Sequence, residues 1–323
     1  MKKSNSNNNI SSILNVLGIT PQIIVLFLLL ILLIGIMIGI FVKHKDSNIV
    51  TNVVPAVEKD PEFTDDGKKD TFVKEEETEL KEKEPSAFEQ YSIKMEKTDK
   101  PVIAIIIDDM GVDMIRTQKI LKLNHPLTVS YLTYAPNLQS QINYATDAGK
   151  EILLHVPMQA LNDNYDYGGE YLSTNNSKVR NLEILNSQLN KVTGYIGINN
   201  HMGSRFTSDE SQLSAVINEI KKRGIAFVDS KTSSQSKGDK LAKEIGIYYT
   251  TRDIFIDDSS KEEDIVKSLI QLERLAKKRG FAVAIGHPRT NTLKVMEAWL
   301  DGLEAKGFEL VPISYIIKNY PKF

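Results

Sequence analysis

From Pro101 onward the chain alternates two patterns, short unbroken apolar runs and longer amphipathic stretches. The runs suited to buried strands are 102–107, 127–132, 152–154, 195–198, 225–228, 247–249, 281–285 and 309–311. The amphipathic stretches include 208–223, 261–279 and 292–306, and Gly224, Gly280 and Gly307 follow them where helices should stop. A strand that is apolar at every position is buried on both faces, and parallel neighbours need a helical crossover between them. The pattern therefore predicts an α/β domain over 101–323: an irregular (β/α) barrel of about seven to eight parallel strands. An open doubly wound sheet is the competing arrangement. In both, functional side chains gather at the C-terminal ends of the strands.

Two unlike pieces precede this domain. Residues 23–42 are twenty consecutive apolar or glycine positions, and at about 1.5 Å per residue they span roughly 30 Å, the hydrocarbon thickness of a bilayer. A cleaved signal peptide would have a shorter apolar run and a small-residue cleavage site, whereas Lys43-His44-Lys45 follows here. A retained single-pass anchor is the reading, with 1–22 as a cytoplasmic tail. Lys2 and Lys3 on one side face Lys43 and Lys45 on the other, so flanking charge alone does not orient the span. Residues 43–100 carry 11 basic against 16 acidic side chains with no apolar period. That composition predicts a disordered, charged tether.

Charge and cysteine content narrow the chemistry. With 40 Lys and Arg against 42 Asp and Glu there is no basic field for nucleic acid. No cysteine is present, which removes disulfides, thiolate metal sites and a cysteine nucleophile. The phosphate-binding G-x-x-x-x-G-K-[ST] and G-x-G-x-x-G patterns are missing, as are H-E-x-x-H and G-x-S-x-G, so no nucleotide partner is expected. Any metal must be held by His, Asp or Glu.

Those residues collect where the strands end. The first run leads into Asp108-Asp109-Met110-Gly111, the third into His155-Val156-Pro157-Met158, and the fourth into Asn199-Asn200-His201-Met202-Gly203-Ser204. The fifth leads into Asp229-Ser230, and the seventh into Gly286-His287-Pro288-Arg289. Two carboxylates straight after an apolar strand are costly to bury unless positive charge sits beside them. His155, His201 and His287 then converge with Asp108 and Asp109 on one mouth. His125 precedes the second strand and belongs on the opposite rim. Imidazoles and carboxylates with an open position suit Zn²⁺, with Ni²⁺, Co²⁺ or Mn²⁺ as alternatives, in hydrolysis. A carboxylate left off the metal would take a proton from water, and a histidine would protonate the leaving group.

Taken with Phe227-Val228-Asp229-Ser230 and Arg252-Asp253, these motifs resemble the divergent polysaccharide deacetylase family, in the same order and across nearly all of 101–323. The resemblance implies an irregular (β/α) barrel related to metal-dependent deacetylases of cell-wall and exopolysaccharide sugars. It also implies roles. Asp108 is the catalytic base, Asp109 a metal ligand, His155 the first metal histidine and His287 the general acid. The sequence departs from better-known deacetylases in one respect: four positions after His155, where they carry a second ligand histidine, stands Gln159. On the barrel reading His201 fills that vacancy from the next strand. Asp229 and Arg252 become substrate contacts or groups that orient a histidine, with a rim salt bridge as the alternative.

Three further features are read more plainly. Asp257-Asp258 repeats the paired-acid look in a polar loop and reads as a solvated turn. Tyr165, Tyr167 and Tyr171 lie in a Gly168-Gly169 loop after the third strand, placed either to stack on sugar rings or to structure the loop. Trp299 reads as core packing. The function expected is a membrane-anchored, metal-dependent hydrolase, on C–N or ester bonds, removing acetyl groups from an extracytoplasmic glycan. The alternative is a catalytically silent barrel that binds glycan or a cell-envelope protein.

Overall fold

The computed structural model describes residues 84–162 and 164–321. The anchor expected at 23–42, the tail before it and the tether up to 83 lie outside the described residues. Among the described residues no helix is long and apolar enough to cross a membrane.

The domain opens with a one-turn helix, α1 (Ala87–Tyr91), followed by β1 (Val102–Met110), α2 (Met114–Leu121), β2 (Thr128–Leu132) and α3 (Leu138–Asp147). Next come β3 (Glu151–Met158), α4 (Lys178–Leu189), β4 (Gly197–Met202), α5 (Glu210–Arg223), β5 (Ala226–Asp229) and α6 (Gly238–Ile245). The chain ends with β6 (Tyr249–Thr251), β7 (Ile254–Phe255), α7 (Glu262–Arg279), β8 (Phe281–Gly286), α8 (Thr290–Asp301), β9 (Glu309–Leu310) and α9 (Ile313–Asn319). Each expected strand is present, and β7 is additional.

All the ladders are parallel, in the order β6-β5-β4-β3-β2-β1-β8-β7, with β9 paired to the start of β1. The two ends of that order are halves of one extended segment. Tyr249 to Thr251 pair with β5, and after two residues Ile254 and Phe255 pair with β8. The amide of Arg252 still donates to Asp229 O on one side, while the amide of Asp253 donates to Val283 O on the other. One segment therefore spans the gap and curls the sheet into the irregular barrel.

The pleat of β1 sorts its side chains. Val102, Ala104 and Ile106 join Leu153, Val228, Val283 and Ile285 inside the barrel, whereas Ile103, Ile105 and Ile107 pack outward with Leu269 and Leu272 of α7. The interior is closed at the N-terminal ends of the strands by Ile313, Ile316 and Ile317 of α9 and by Phe88 of α1.

Phe88 corrects a boundary. Residues 84–100 were expected to belong to the disordered tether, yet they cross the base of the barrel. Ser86 caps α1 in a reciprocal capping box with Glu89. Phe88 is wholly buried and its ring stacks on Tyr248 at 4.0 Å, while its amide donates to Gly224 O at 2.9 Å. The amide of Ile93 donates to Glu151 Oε1 at 3.2 Å. The segment's mean composition is that of a tether, but one aromatic placed over an open hydrophobic end outweighs the average. Phe88→Ala is expected to lower unfolding free energy by about 3–5 kcal/mol, read from the urea midpoint at unchanged slope. A loss below about 1 kcal/mol would show that the base is closed without it.

Candidate metal centre

Above the apolar interior the same inward face turns polar, and three strands each run on beyond their apolar stretch to carry it. β1 continues through Asp108 and Asp109, β3 through His155, and β4 through Asn199 and His201. Simple alternation would send Asp108 and Asp109 to opposite faces of β1. The ladder to β2 is instead irregular between Ile107 and Met110, and Asp109 takes a left-handed conformation at φ 57°. This bulge swings the second carboxylate to the barrel mouth. Gly111, at φ 99°, completes the turn where a Cβ would come within 2.7 Å of Ala135 Cβ.

Asp109, His155 and His201 each bring one ligand atom to a common point, all within 4.8 Å of one another. Asp109 Oδ1 lies 3.1 Å from His201 Nδ1 and 3.5 Å from His155 Nε2, and the two imidazoles meet edge to face with centroids 4.9 Å apart. Asp109 Oδ1 is buried without a hydrogen bond. A buried carboxylate oxygen facing two ring nitrogens is a donor set that fits a divalent cation.

A wholly buried amide orients this set. Asn199 Oδ1 accepts from His155 Nδ1–H at 2.8 Å and from the Ser130 hydroxyl at 2.5 Å. Asn199 Nδ2 donates to Asp108 Oδ1 at 2.8 Å and to Ser230 Oγ at 3.2 Å. The proton of His155 is thereby placed on Nδ1, and the Nε2 lone pair faces the centre. Asp108 Oδ2 stays free of that amide, 3.5 Å from His155 Nε2.

Electrostatics separates the adjacent acids. Burial pushes the Asp108 carboxyl above its ordinary value, against the pull of His155 and His287. Burial acts on Asp109 in the same sense, but the adjacent His155 and His201 outweigh it and hold that carboxyl well below the usual range. For His155, burial favours the neutral ring, yet Asp108 and Asp109 raise it overall.

His287 stands beside the centre, its Nε2 3.9 Å from Asp109 Oδ2. Its Nδ1–H donates to Asp257 Oδ1 at 2.9 Å, and its backbone amide donates to Asp257 Oδ2 at 2.8 Å. Thr292 Oγ1 donates to the same Oδ2 at 2.8 Å. Burial alone would lower His287, but the Asp257 carboxylate, joined by Asp108 and Asp109, outweighs it and the ring ends above its ordinary value. Asp109, His201, His287, Tyr134, Arg116 and Arg289 lie around a pocket of about 280 Å³.

Several expectations are corrected here. Asp257 is not a solvated turn residue but is 1% exposed and holds His287. Asp229 faces away from the pocket, accepting from Ser236 Oγ at 2.6 Å and from the Lys231 amide at 2.8 Å in the loop after β5. Arg252 braces that loop through Ser230 O and Lys231 O, with its guanidinium 3.7 Å above the Phe255 ring. The rim salt bridge considered for this pair is absent from their hydrogen bonds. Tyr167 is buried and stacked on Tyr171 at 3.9 Å, so these two structure the loop, while Tyr165 is half exposed. Gln159 is buried away from the centre, its Oε1 taking bonds from the Thr174 amide and hydroxyl and from the Ser173 hydroxyl. His125 lies 3.8 Å from Asp301 at the opposite end of the barrel. Trp299 is packed in the core and its Nε1–H donates to Glu273.

Neither Asn199 nor Asp257 was expected to take part in the site. A signal existed for each: Asn199 lies two residues before His201 and so on the same strand face, and Asp257 directly follows the apolar Ile254-Phe255-Ile256.

Residues 105–317 match the divergent polysaccharide deacetylase family. The chain belongs to that family. A Haemophilus influenzae relative, described as an uncharacterized protein, is 33% identical over 218 residues, 67% of this chain and 77% of that protein. The Escherichia coli protein YibQ, likewise uncharacterized, is 30% identical over 195 residues, 60% of this chain and 61% of its own length. Among solved structures, the crystal structure of the uncharacterized protein ATU2773 from Agrobacterium tumefaciens is 27% identical with a TM-score of 0.69, covering 72% of this chain and 95% of that one.

Asp109→Ala or His201→Ala is expected to weaken divalent-cation binding, probed with Zn²⁺, at least about 100-fold. Asn199→Ala should weaken it about 10–100-fold, and His125→Ala should leave it unchanged. Equilibrium dialysis of the folded variants reads all four. Equal losses for His125→Ala and His201→Ala would break the assignment.

Proposed function

We propose that this protein is a metal-dependent hydrolase that removes acetyl groups from an extracytoplasmic glycan, held at the membrane by residues 23–42. The observation that carries the reading is the meeting of Asp109, His155 and His201 beside the Asp257–His287 pair. Family membership supports a carbohydrate substrate. The twenty-residue apolar segment supports the anchor, and a tethered domain that meets cell-envelope polymer supports the outward placement. Zn²⁺ is the metal proposed for a set of two imidazoles and one carboxylate with an open position.

A divalent cation in this site would activate water and polarise the acetyl carbonyl. The protein's own residues divide the protons. Asp108, with one oxygen fixed by Asn199 and the other free, takes a proton from the attacking water at Oδ2. Asn199 holds that carboxylate in place. As the carbonyl re-forms and the C–N or C–O bond breaks, His287 Nε2–H donates its proton to the departing sugar nitrogen or oxygen. Asp257 keeps the Nδ1 proton in place throughout, so the acid acts through a single nitrogen. The products are acetate and the free amino or hydroxyl sugar.

The test is acetate release from acetylated sugar oligomers by Zn²⁺-loaded protein. Asp108→Asn and His287→Ala should keep the metal and lose turnover about 10²–10⁴-fold. Metal binding without acetate from any acetylated glycan would leave the alternative, a barrel that binds glycan or an envelope protein. A pH dependence follows from the Asp257 contact. His287 acts while protonated, so activity falls as pH rises through its raised value. Asp257→Asn removes the group that raises it and should move the alkaline limb to lower pH. An unmoved limb would assign that proton to another residue.

A further inference from the structure

The pocket beside His287 carries two arginines that the hydrolytic scheme does not use. β1 and β8 are neighbours, with Ile107 opposite Gly286, so the helices that follow them, α2 and α8, begin side by side at the mouth. Arg116 lies in the first turn of α2 and Arg289 directly precedes α8, and both border the pocket that Asp109, His201 and His287 also line. Each guanidinium is steadied at one nitrogen. Arg116 Nε lies 3.3 Å from Asp113 Oδ2, and Arg289 Nη1 donates to Asp257 O at 2.6 Å. No other protein partner engages either guanidinium among the described residues. Their remaining N–H groups are available as planar forks, the geometry that matches a carboxylate or a phosphate. α8 also begins without a side-chain cap, so its first amides add to the positive character of that rim.

The negative groups nearby do not cancel this. Asp257 is taken up by His287 and Thr292. Asp113 is shared between the Arg116 amide, at 3.0 Å, and the Nε of the same residue. Asp109 belongs to the proposed cation.

We infer that Arg116 and Arg289 form an anionic subsite, and that the glycan accepted here carries a carboxylate or phosphate on the acetylated sugar or its immediate neighbour. The acetyl group in this inference rests on the deacetylase reading, and the charge on the arginines alone. The two guanidiniums fix the ring through its anionic group, so that one acetyl group is presented to the centre. Neutral polymers of acetylated sugar lack that hold.

Binding to the full chain in neutral detergent, at low salt and with and without Zn²⁺, tests the subsite apart from turnover. Hyaluronan hexasaccharide, which alternates N-acetylglucosamine with glucuronate, is compared with neutral chitohexaose. N-acetylglucosamine 6-phosphate is compared with N-acetylglucosamine. At least one anionic probe should bind about tenfold tighter than its neutral counterpart, and the pair that shows the advantage tells carboxylate from phosphate. Arg116→Gln and Arg289→Gln should each remove most of the advantage, as should added salt. Should Arg289→Gln fail to fold, Arg116→Gln decides alone, because its side chain is exposed and its one contact lies within its own helical turn. Equal binding of charged and neutral probes, or an advantage that survives in the folded variants, overturns the subsite. Acetate release is scored separately on the same probes. Release from chitohexaose without any anionic preference keeps the hydrolase and removes the subsite, whereas anionic preference without release keeps the subsite and removes the hydrolase.

Discussion

One amide makes the centre affordable. Asp108 and His155 are both almost wholly buried, and a lone charge in such a place would neutralise itself or force the strands apart. Asn199 lies between them and meets both needs at once: its oxygen accepts the histidine proton and its nitrogen donates to the carboxylate. Ser130 and Ser230 occupy its remaining bonding positions. The amide is therefore fully bonded, and a fully bonded amide inside a barrel is rigid. That rigidity is what holds the lone pair of His155 toward Asp109 and His201.

The rest of the domain serves this layer. Below it lies an apolar interior closed by α9 and Phe88. Above it the β1 bulge converts a strand that would split its two aspartates between faces into one that delivers both to the mouth. Strain at Asp109, in a left-handed conformation unfavourable for a residue with a side chain, is the cost of that delivery. His287 arrives independently from β8, held by an acid from beyond β7, so the proposed proton donor and the proposed metal set have separate supports.

How much could be read in advance varies with the range of the interaction. The strands were legible because burial on both faces leaves an unbroken apolar run, and His155, His201 and His287 were legible because each follows such a run. Strand ends were missed by several residues, since polar side chains that turn inward extend a strand without extending its apolar run. Asn199 and Asp257 went unassigned because a neutral amide, and an acid after an apolar run of only three residues, look unremarkable until their partners, 44 and 30 residues away, are in place. The tether boundary was misplaced because Phe88 is one apolar residue in a charged segment.

The order of residues alone determined the class of fold, the metal-ligating and titratable residue types available and the twenty-residue apolar segment near the start. These are local properties: periodicity, side-chain chemistry and length. Tertiary structure decided which way each polar group faces. It turned Asp229, Arg252 and Gln159 away from the centre and brought Asp257 toward it. Orientation depends on pairings between strands far apart in the chain and on a single bulge that reverses a face, and no stretch of sequence contains both partners of such a pairing.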